Sequence, residues 1–132
     1  VMDHQLETMV QFHGWVRRNE LAPFYEQAHL NILPSASEGW PKVLSEGMAY
    51  GVVPIAGAVS SIPQTLDEFH TGCVLDPRDL DAFVRAIGDY EHCPEKWKEE
   101  SLAGIAAARH FTYENYLLQV KSIFQEKWGI CL

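Results

Sequence analysis

Residues 35 to 56 read SASEGWPKVLSEGMAYGVVPIA and contain a loop, a helix and a strand in succession. The loop ends at Gly39, and apolar residues at helical spacing predict a helix from about 41 to 50. Gly51 stands where a helix commonly ends. The run from 52 to 56 is apolar on both faces, as strands inside parallel sheets are. This order predicts a helix that crosses over to a strand buried in a parallel sheet.

The same alternation continues on both sides of this stretch. Apolar runs bounded by Gly or Pro predict strands, and residues at helical spacing predict helices between them. Right-handed crossovers between parallel strands place helices on both faces of a sheet. The chain is therefore predicted to be one α/β domain with a Rossmann-like, doubly wound parallel sheet. The further strands are predicted at 10–13, 30–33 and 73–75, and the further helices at 20–28, 64–69, about 79–90, 94–110 and 112–128.

Composition and charge argue against several classes of partner. Eighteen acidic against ten basic residues give a net charge of −8, which opposes binding to nucleic acid or to an anionic membrane surface. Cys73, Cys93 and Cys131 lie in separate segments without metal-ligand spacing. They predict reduced thiols in a cytoplasmic setting rather than disulfides or a zinc site. The sequence contains no run of about 18 apolar residues, so no membrane span is predicted.

Ligands of doubly wound domains bind at the carboxyl ends of the strands, which directs attention to three loops. These are the loops at 14–19, 35–39 and 57–62. The middle loop leads into a helix, and the N-terminus of a helix offers unpaired N–H groups and partial positive charge. Gly39 lets a ligand approach the backbone closely. The sequence therefore predicts an anion, such as a phosphate, at the start of this helix.

Two carboxylates flank the predicted anion site. Glu38 lies in the loop, and Glu46 follows eight residues later inside the helix. Carboxylates accept paired hydrogen bonds from neighbouring hydroxyls. A phosphate with a diol on each side is what a nucleotide sugar presents, because its ribose and its sugar each carry one. Since Pro41 has no N–H, the backbone donors must come from Trp40, Lys42 and Val43.

The stretch from Ser37 to Ala56 resembles the signature of the glycosyltransferase group 1 family, in which two Glu are separated by seven residues. The resemblance extends from about Phe12 to Leu75 and includes FHG at 12–14 and AHLNILP at 28–34. It implies the C-terminal, donor-binding half of a GT-B enzyme. Such an enzyme transfers a sugar from a nucleotide-sugar donor to a glycan, lipid or small-molecule acceptor with retention of anomeric configuration.

The resemblance also implies roles for individual residues. Glu38 would be catalytic, because it would contact hydroxyls of the donor sugar and help to organise the transition state. Glu46 would bind the ribose diol. The base would be approached by the loop that carries Trp15, Val16 and Arg18. The remaining donor-binding residues would be those that hold the diphosphate and sugar through their backbone, namely Gly39, Trp40, Pro41, Lys42 and Val43.

Two departures from the family pattern define what the chain is expected to lack. The basic Arg and Lys that neutralise the diphosphate in the family have no counterpart before Phe12. The N-terminal, acceptor-binding domain is also absent, and the abrupt start at Val1 predicts a truncation. Residues 1–132 are thus expected to be an incomplete donor domain that is inactive on its own. No cofactor or metal is implied, and membrane association of the parent protein stays open.

Other interpretations compete with these. The chain could be a non-catalytic nucleotide-sugar-binding module, or part of a sugar-nucleotide epimerase of the same fold. Either Glu, taken alone, could be an ordinary surface residue. Trp40 could pack in the core instead of touching the donor. The remaining structural interpretations are His13 and His29 as histidines bound to backbone, Ser60 and Ser61 as helix caps, Asp79 or Asp81 as the cap of the helix to Tyr90, residues 95–100 as a solvated helix face, and the aromatics from Phe111 to Trp128 as core.

Overall fold

The computed structural model describes residues 6–131 and contains a parallel sheet of three strands. The strands are β1 (Leu30–Leu33), β2 (Val53–Gly57) and β3 (Cys73–Leu75), in the order β1-β2-β3. Leu30 pairs with Val53, and Ile55 pairs with Cys73. Every residue of β2 is buried, as its uninterrupted apolar sequence predicts for a central strand. The α/β class and the parallel sheet are therefore confirmed.

Helices connect the strands and cover the sheet. Two 3-10 turns, Arg18–Glu20 and Ala108–Phe111, precede the first and the last α-helix. The predicted helices all form, and most of their ends lie within about two residues of the predicted ones, which is the usual spread of such boundaries. The helices of the described residues are α1 (Ala22–Gln27), α2 (Lys42–Ala49), α3 (Ile62–Glu68), α4 (Leu80–His92), α5 (Pro94–Ala107) and α6 (Tyr113–Trp128).

The core has two parts, one on each face of β2. Val53 and Ile55 point to one face, where they pack with residues of α4 such as Phe83 and Tyr90. Ala56 points to the other face, where it packs with residues of α2, α3 and α5. Side chains alternate between the faces of a strand, so one fully apolar strand supplies both parts. This is the two-faced burial expected of a doubly wound sheet.

Residues 10–13 do not form the predicted strand. They have no regular secondary structure, and Val10 and Phe12 are exposed. The alternating pattern indicates a segment able to bury one face, but a strand also needs a hydrogen-bonded neighbour, and no strand among residues 6–131 pairs with this segment. The strand prediction is wrong for this structure, and the loop at 14–19 therefore does not follow a strand.

The structure shows at which residue α2 begins and which of two acids caps α4. Pro41 is the N-cap residue of α2, with an extended ψ of 114°, and the helix begins at Lys42. The predicted start of this helix, at about residue 41, is therefore one residue early. Of the two candidate caps of α4, Asp79 is the one that acts: its Oδ1 accepts a hydrogen bond from the Ala82 N–H at 2.9 Å.

The last helix departs from the predicted core packing. No residue of α6 is buried, and Tyr113, Tyr116 and Trp128 are each at least 60% exposed. Of the aromatic residues from Phe111 to Trp128, only Phe111, in the turn before α6, packs against the core. Helical spacing of the aromatic residues indicates a common stripe, but it does not say which surface covers that stripe.

The structure also bears on thiols and membranes. Cys73, Cys93 and Cys131 are free thiols, and burial raises the pKa of the half-buried Cys73 above its ordinary value. Across residues 6–131, no helix has both the length and the apolar character needed to cross a membrane.

Candidate functional site

The parallel sheet brings the loops after β1, β2 and β3 to one edge. A Cβ atom on Gly57 would collide with the Ser35 carbonyl oxygen, so the first two loops touch backbone to backbone. The Ala58 N–H donates to the Leu75 carbonyl at 2.7 Å, which joins the second loop to the end of β3. Ser61 Oγ donates a long hydrogen bond of 3.5 Å to the Gly39 carbonyl. The loop that carries Glu38 and Gly39 is thereby supported from its neighbours.

The start of α2 keeps its backbone donors available. Pro41 supplies no side-chain cap, so the N–H groups of Lys42 and Val43 have no partner within the helix. The Asn31 side chain donates to the Val43 carbonyl at 2.9 Å, which ties this turn to β1. Gly39 is exposed, and nothing lies within 4 Å of the position of an added Cβ. The start of α2 thus offers donors on an open, anchored turn.

Glu46 lies one turn further along α2 and is held by α1. The Tyr25 hydroxyl donates to Glu46 Oε2 at 3.2 Å. The Tyr25 ring stacks on Tyr50, with centroids 5.6 Å apart and 22° between the planes. Burial raises the pKa of Tyr25, and the charge of Glu46 and the hydrogen bond to it raise that pKa further. Tyr25 is therefore neutral and a donor in the ordinary pH range.

A cleft of about 660 Å³ runs along α2 and contains several of the predicted site residues. Arg18, Trp40, Lys42 and Glu46 line one part of it. The other part is aromatic and includes Phe111, Tyr113 and Tyr116. A smaller adjoining cleft of about 360 Å³ shares Arg18, Glu46 and Ala49, and adds Tyr25 and Tyr50. The side chains of two basic residues and one acidic residue thus line one cleft beside α2.

The loop at 14–19 contributes to this cleft, but it does so through a turn beside α2 and not from the end of a strand. It is not at the carboxyl end of a strand, because residues 10–13 are not one. The turn Arg18–Glu20 instead places Arg18 beside α2, in both clefts. Trp15 is 84% exposed, and Val16 is partly buried. Of the three residues predicted to approach the base, Arg18 is the one that lines the clefts with Glu46.

Trp40 is part of the packed layer as well as of the cleft wall. Its ring stacks on Phe111, with centroids 4.8 Å apart and 7° between the planes, and it packs against the core. Its indole N–H is buried and finds no partner among the described residues. A donor so deeply placed does not reach a ligand in this conformation, so Trp40 shapes the cleft by its ring rather than by its N–H.

Several predicted residues stand apart from the clefts. Glu38 is half-buried in the loop before α2, and it does not line either cleft along that helix. His13 packs edge-on against Phe24, and the His29 carbonyl accepts a hydrogen bond from Trp97 Nε1 at 3.0 Å. Among residues 6–131, no cluster of three or more His, Cys, Asp or Glu side chains is arranged to hold a metal ion.

Sequence reasoning missed two features of this site. The first is Tyr25, because nothing in a six-residue helix indicates that its tyrosine reaches a carboxylate 21 positions away. The second is the wall formed by Tyr113 and Tyr116, because the aromatic stripe indicated a core-facing helix. Both depend on how helices pack against each other, which short-range spacing does not report.

The chain is similar in sequence to known glycosyltransferases. The sequence model of the family described as "Glycosyl transferases group 1" matches residues 1–110. The O-antigen chain mannosyltransferase B of Escherichia coli is 28% identical over 124 residues, which are 90% of this chain and 31% of that protein. A D-inositol 3-phosphate glycosyltransferase of Streptomyces coelicolor is 31% identical over 102 residues, which are 77% of this chain and 22% of that protein.

The fold is also similar to a solved structure. Sucrose-phosphate synthase from Thermosynechococcus elongatus superposes with a TM-score of 0.83 and 26% sequence identity, over 97% of this chain and 32% of the synthase chain. This likeness agrees with the GT-B fold that the motifs imply. The chain spans about a third or less of the length of these similar proteins.

Proposed function

This chain belongs to the glycosyl transferases group 1 family, and we propose that it supplies most of the nucleotide-sugar donor site of a retaining glycosyltransferase. One observation carries the proposal: Arg18, Lys42 and Glu46 line a single cleft beside the uncapped start of α2. Cations and free N–H groups suit a diphosphate, and a carboxylate suits a diol. A nucleotide sugar requires both kinds of group side by side.

The proposed chemistry follows from where charge develops. The bond between the sugar C1 and the diphosphate oxygen breaks, a bond from an acceptor hydroxyl oxygen to C1 forms, and the hydroxyl proton passes to the departing diphosphate. The departing diphosphate gains negative charge. Donors fixed in advance at the position of such a charge lower the barrier, and the N–H groups of Lys42 and Val43 are suited to this task.

Three side chains complete the proposed site. Arg18 and Lys42 together offset the charge of the diphosphate, although the basic pair of the family has no counterpart in the segment before Phe12. Glu38 contacts hydroxyls of the donor sugar and stabilises the positive charge that forms on the ring as the leaving group departs. The acceptor is bound by a domain outside this chain, and a nucleotide-diphosphate sugar is the only small molecule required on this side.

The proposal is tested with a protein that contains this chain, incubated with UDP-, GDP- and ADP-sugars. We expect release of nucleoside diphosphate from one of them, and a fall in that rate of about 10² or more in Glu38→Gln, as when one transition-state contact is removed. The anomeric configuration of the transferred sugar, read from the C1–H1 coupling, is expected to match the donor. An inverted product, or a Glu38→Gln variant as fast as the wild type, would contradict the proposal.

A further inference from the structure

Tyr25 is placed to control the carboxylate that the proposed site uses for the ribose. It lies on α1, which has six residues and buries none of them. Its hydroxyl donates to Glu46 Oε2 at 3.2 Å, and its ring stacks on Tyr50, which directly follows the last residue of α2 and lies four residues after Glu46. The side chain therefore spans one turn of α2 and contacts it at both ends.

The helix surface beneath the Tyr25 ring fits this contact. Gly47 lies between Glu46 and Tyr50 and is buried. A Cβ atom placed on Gly47 would be 3.7 Å from Tyr25 Cδ1 and 3.3 Å from Asn31 Nδ2. The ring thus lies directly against the backbone of α2, where a glycine leaves room for it. An arrangement of one hydrogen bond, one stack and one close backbone contact restricts the rotamers of both Tyr25 and Glu46.

We propose that Tyr25 is a positioning residue of the donor site, which fixes the Glu46 carboxylate towards the cleft that it shares with Arg18. This inference rests on the proposed function, because it assigns Glu46 to the ribose diol. A carboxylate has about four lone-pair sites, so one bond from Tyr25 leaves enough acceptors for two ribose hydroxyls. The same contact anchors α1, and with it the turn that carries Arg18, beside Glu46.

A fixed carboxylate binds a diol better than a mobile one, because less conformational freedom is lost on binding. Removal of the Tyr25 hydroxyl should therefore weaken binding of ribonucleotides specifically. Tyr25→Phe keeps the ring and the stack on Tyr50. Tyr90→Phe is the matched control, since it removes a hydroxyl that likewise donates to a carboxylate, that of Glu100, but that lies outside both clefts along α2.

The experiment titrates the 132-residue chain with UDP, GDP and ADP and with their 2′,3′-dideoxy counterparts. We expect Tyr25→Phe to weaken binding of the ribonucleotide by about 3- to 10-fold, the range of one hydrogen bond. Its preference for the ribonucleotide over the dideoxy form should fall by the same factor. Tyr90→Phe, measured on the folded variant, should stay within about twofold of the wild type. A purely structural role of Tyr25 would weaken both forms equally, and that result would overturn the inference.

A second measurement needs no ligand. Carbon-13 labelling of the tyrosine Cζ atoms follows the ionisation of each ring, and Glu46→Gln should lower the pKa of Tyr25, because the charge of Glu46 holds that pKa up. An unchanged pKa would show that the two side chains do not interact, which overturns the inference alone. Absence of binding of all three nucleotides to the folded wild-type chain would instead contradict the proposed function and the inference with it.

Discussion

Glu100 belongs to a charged run of the sequence, yet its side chain accepts hydrogen bonds within the fold. Its Oε2 accepts hydrogen bonds from the Gly72 N–H at 2.8 Å and from the Tyr90 hydroxyl at 2.6 Å. The charged run at 95–100 indicated a solvated face of α5, and for Glu100 that interpretation is wrong. The charge pattern of a helix indicates which residues tolerate water. It does not indicate that this position contacts Gly72, just before β3, and Tyr90 of α4, which are 28 and 10 residues away in sequence.

Tyr90 offers a test of this contact through pH. Burial raises its pKa, and the hydrogen bond to Glu100 and the charge of Glu100 raise it further. Because the folded-state pKa lies above the unfolded value of about 10, the contribution is fully present below that pH. It is lost as the pH rises, because the unfolded state then binds fewer protons than the folded state.

We expect the wild type to be more stable than Tyr90→Phe at pH 8 by about 1 to 3 kcal/mol, the scale of a hydrogen bond to a charged group. This difference should shrink above about pH 10, by at most about 1.4 kcal/mol per pH unit. Urea unfolding at several pH values measures it. A difference that stays constant up to pH 11 would show that the Tyr90 hydroxyl is not held as the structure indicates.

At the scale of secondary-structure elements, the sequence is informative where local chemistry acts alone. The uninterrupted run at 52–56 identified a buried strand, and Gly51, with φ of +80°, follows the end of α2 in the left-handed conformation that glycine commonly adopts there. Element ends set by a side chain are harder, because neighbouring acids compete for the same role. Asp79 precedes α4 and Asp81 lies in its first turn, and only the structure shows that Asp79 accepts from the Ala82 N–H.

The capping assignment predicts a difference between these two acids. Asp79→Ala should destabilise the domain by about 1 kcal/mol, the usual cost of losing an N-cap side chain. Asp81→Ala removes the same charge from the first turn and should cost only a few tenths of a kcal/mol. Asp79→Ser should recover most of the loss. Thermal or urea unfolding compares the three, and equal destabilisation by both alanine variants would contradict the assignment.

At the scale of the whole molecule, the parallel α/β sheet and the position of the candidate site after β1 could be predicted from the sequence. Residues 10–13 could not, because alternation does not reveal whether a strand has a neighbour to pair with. Arg18 was predicted to approach the base of a donor from a loop after a strand, whereas the structure shows it lining the clefts beside α2 from a 3-10 turn. The aromatic wall of Tyr113 and Tyr116 depends on the path of α6, which no local pattern fixes.

The central claim is that Glu46 and the start of α2 bind a nucleotide. Calorimetric titration of the folded chain with UDP, GDP and ADP tests it, with Glu46→Ala as the variant and Glu68→Ala, an exposed acid on α3, as the control of equal charge. We predict that one nucleotide binds with a Kd of about 1 mM or tighter. Glu46→Ala should weaken that binding at least about tenfold, the loss of a charged hydrogen-bond partner, and Glu68→Ala should not change it. No binding of any nucleotide, or equal binding by Glu46→Ala, would contradict the claim.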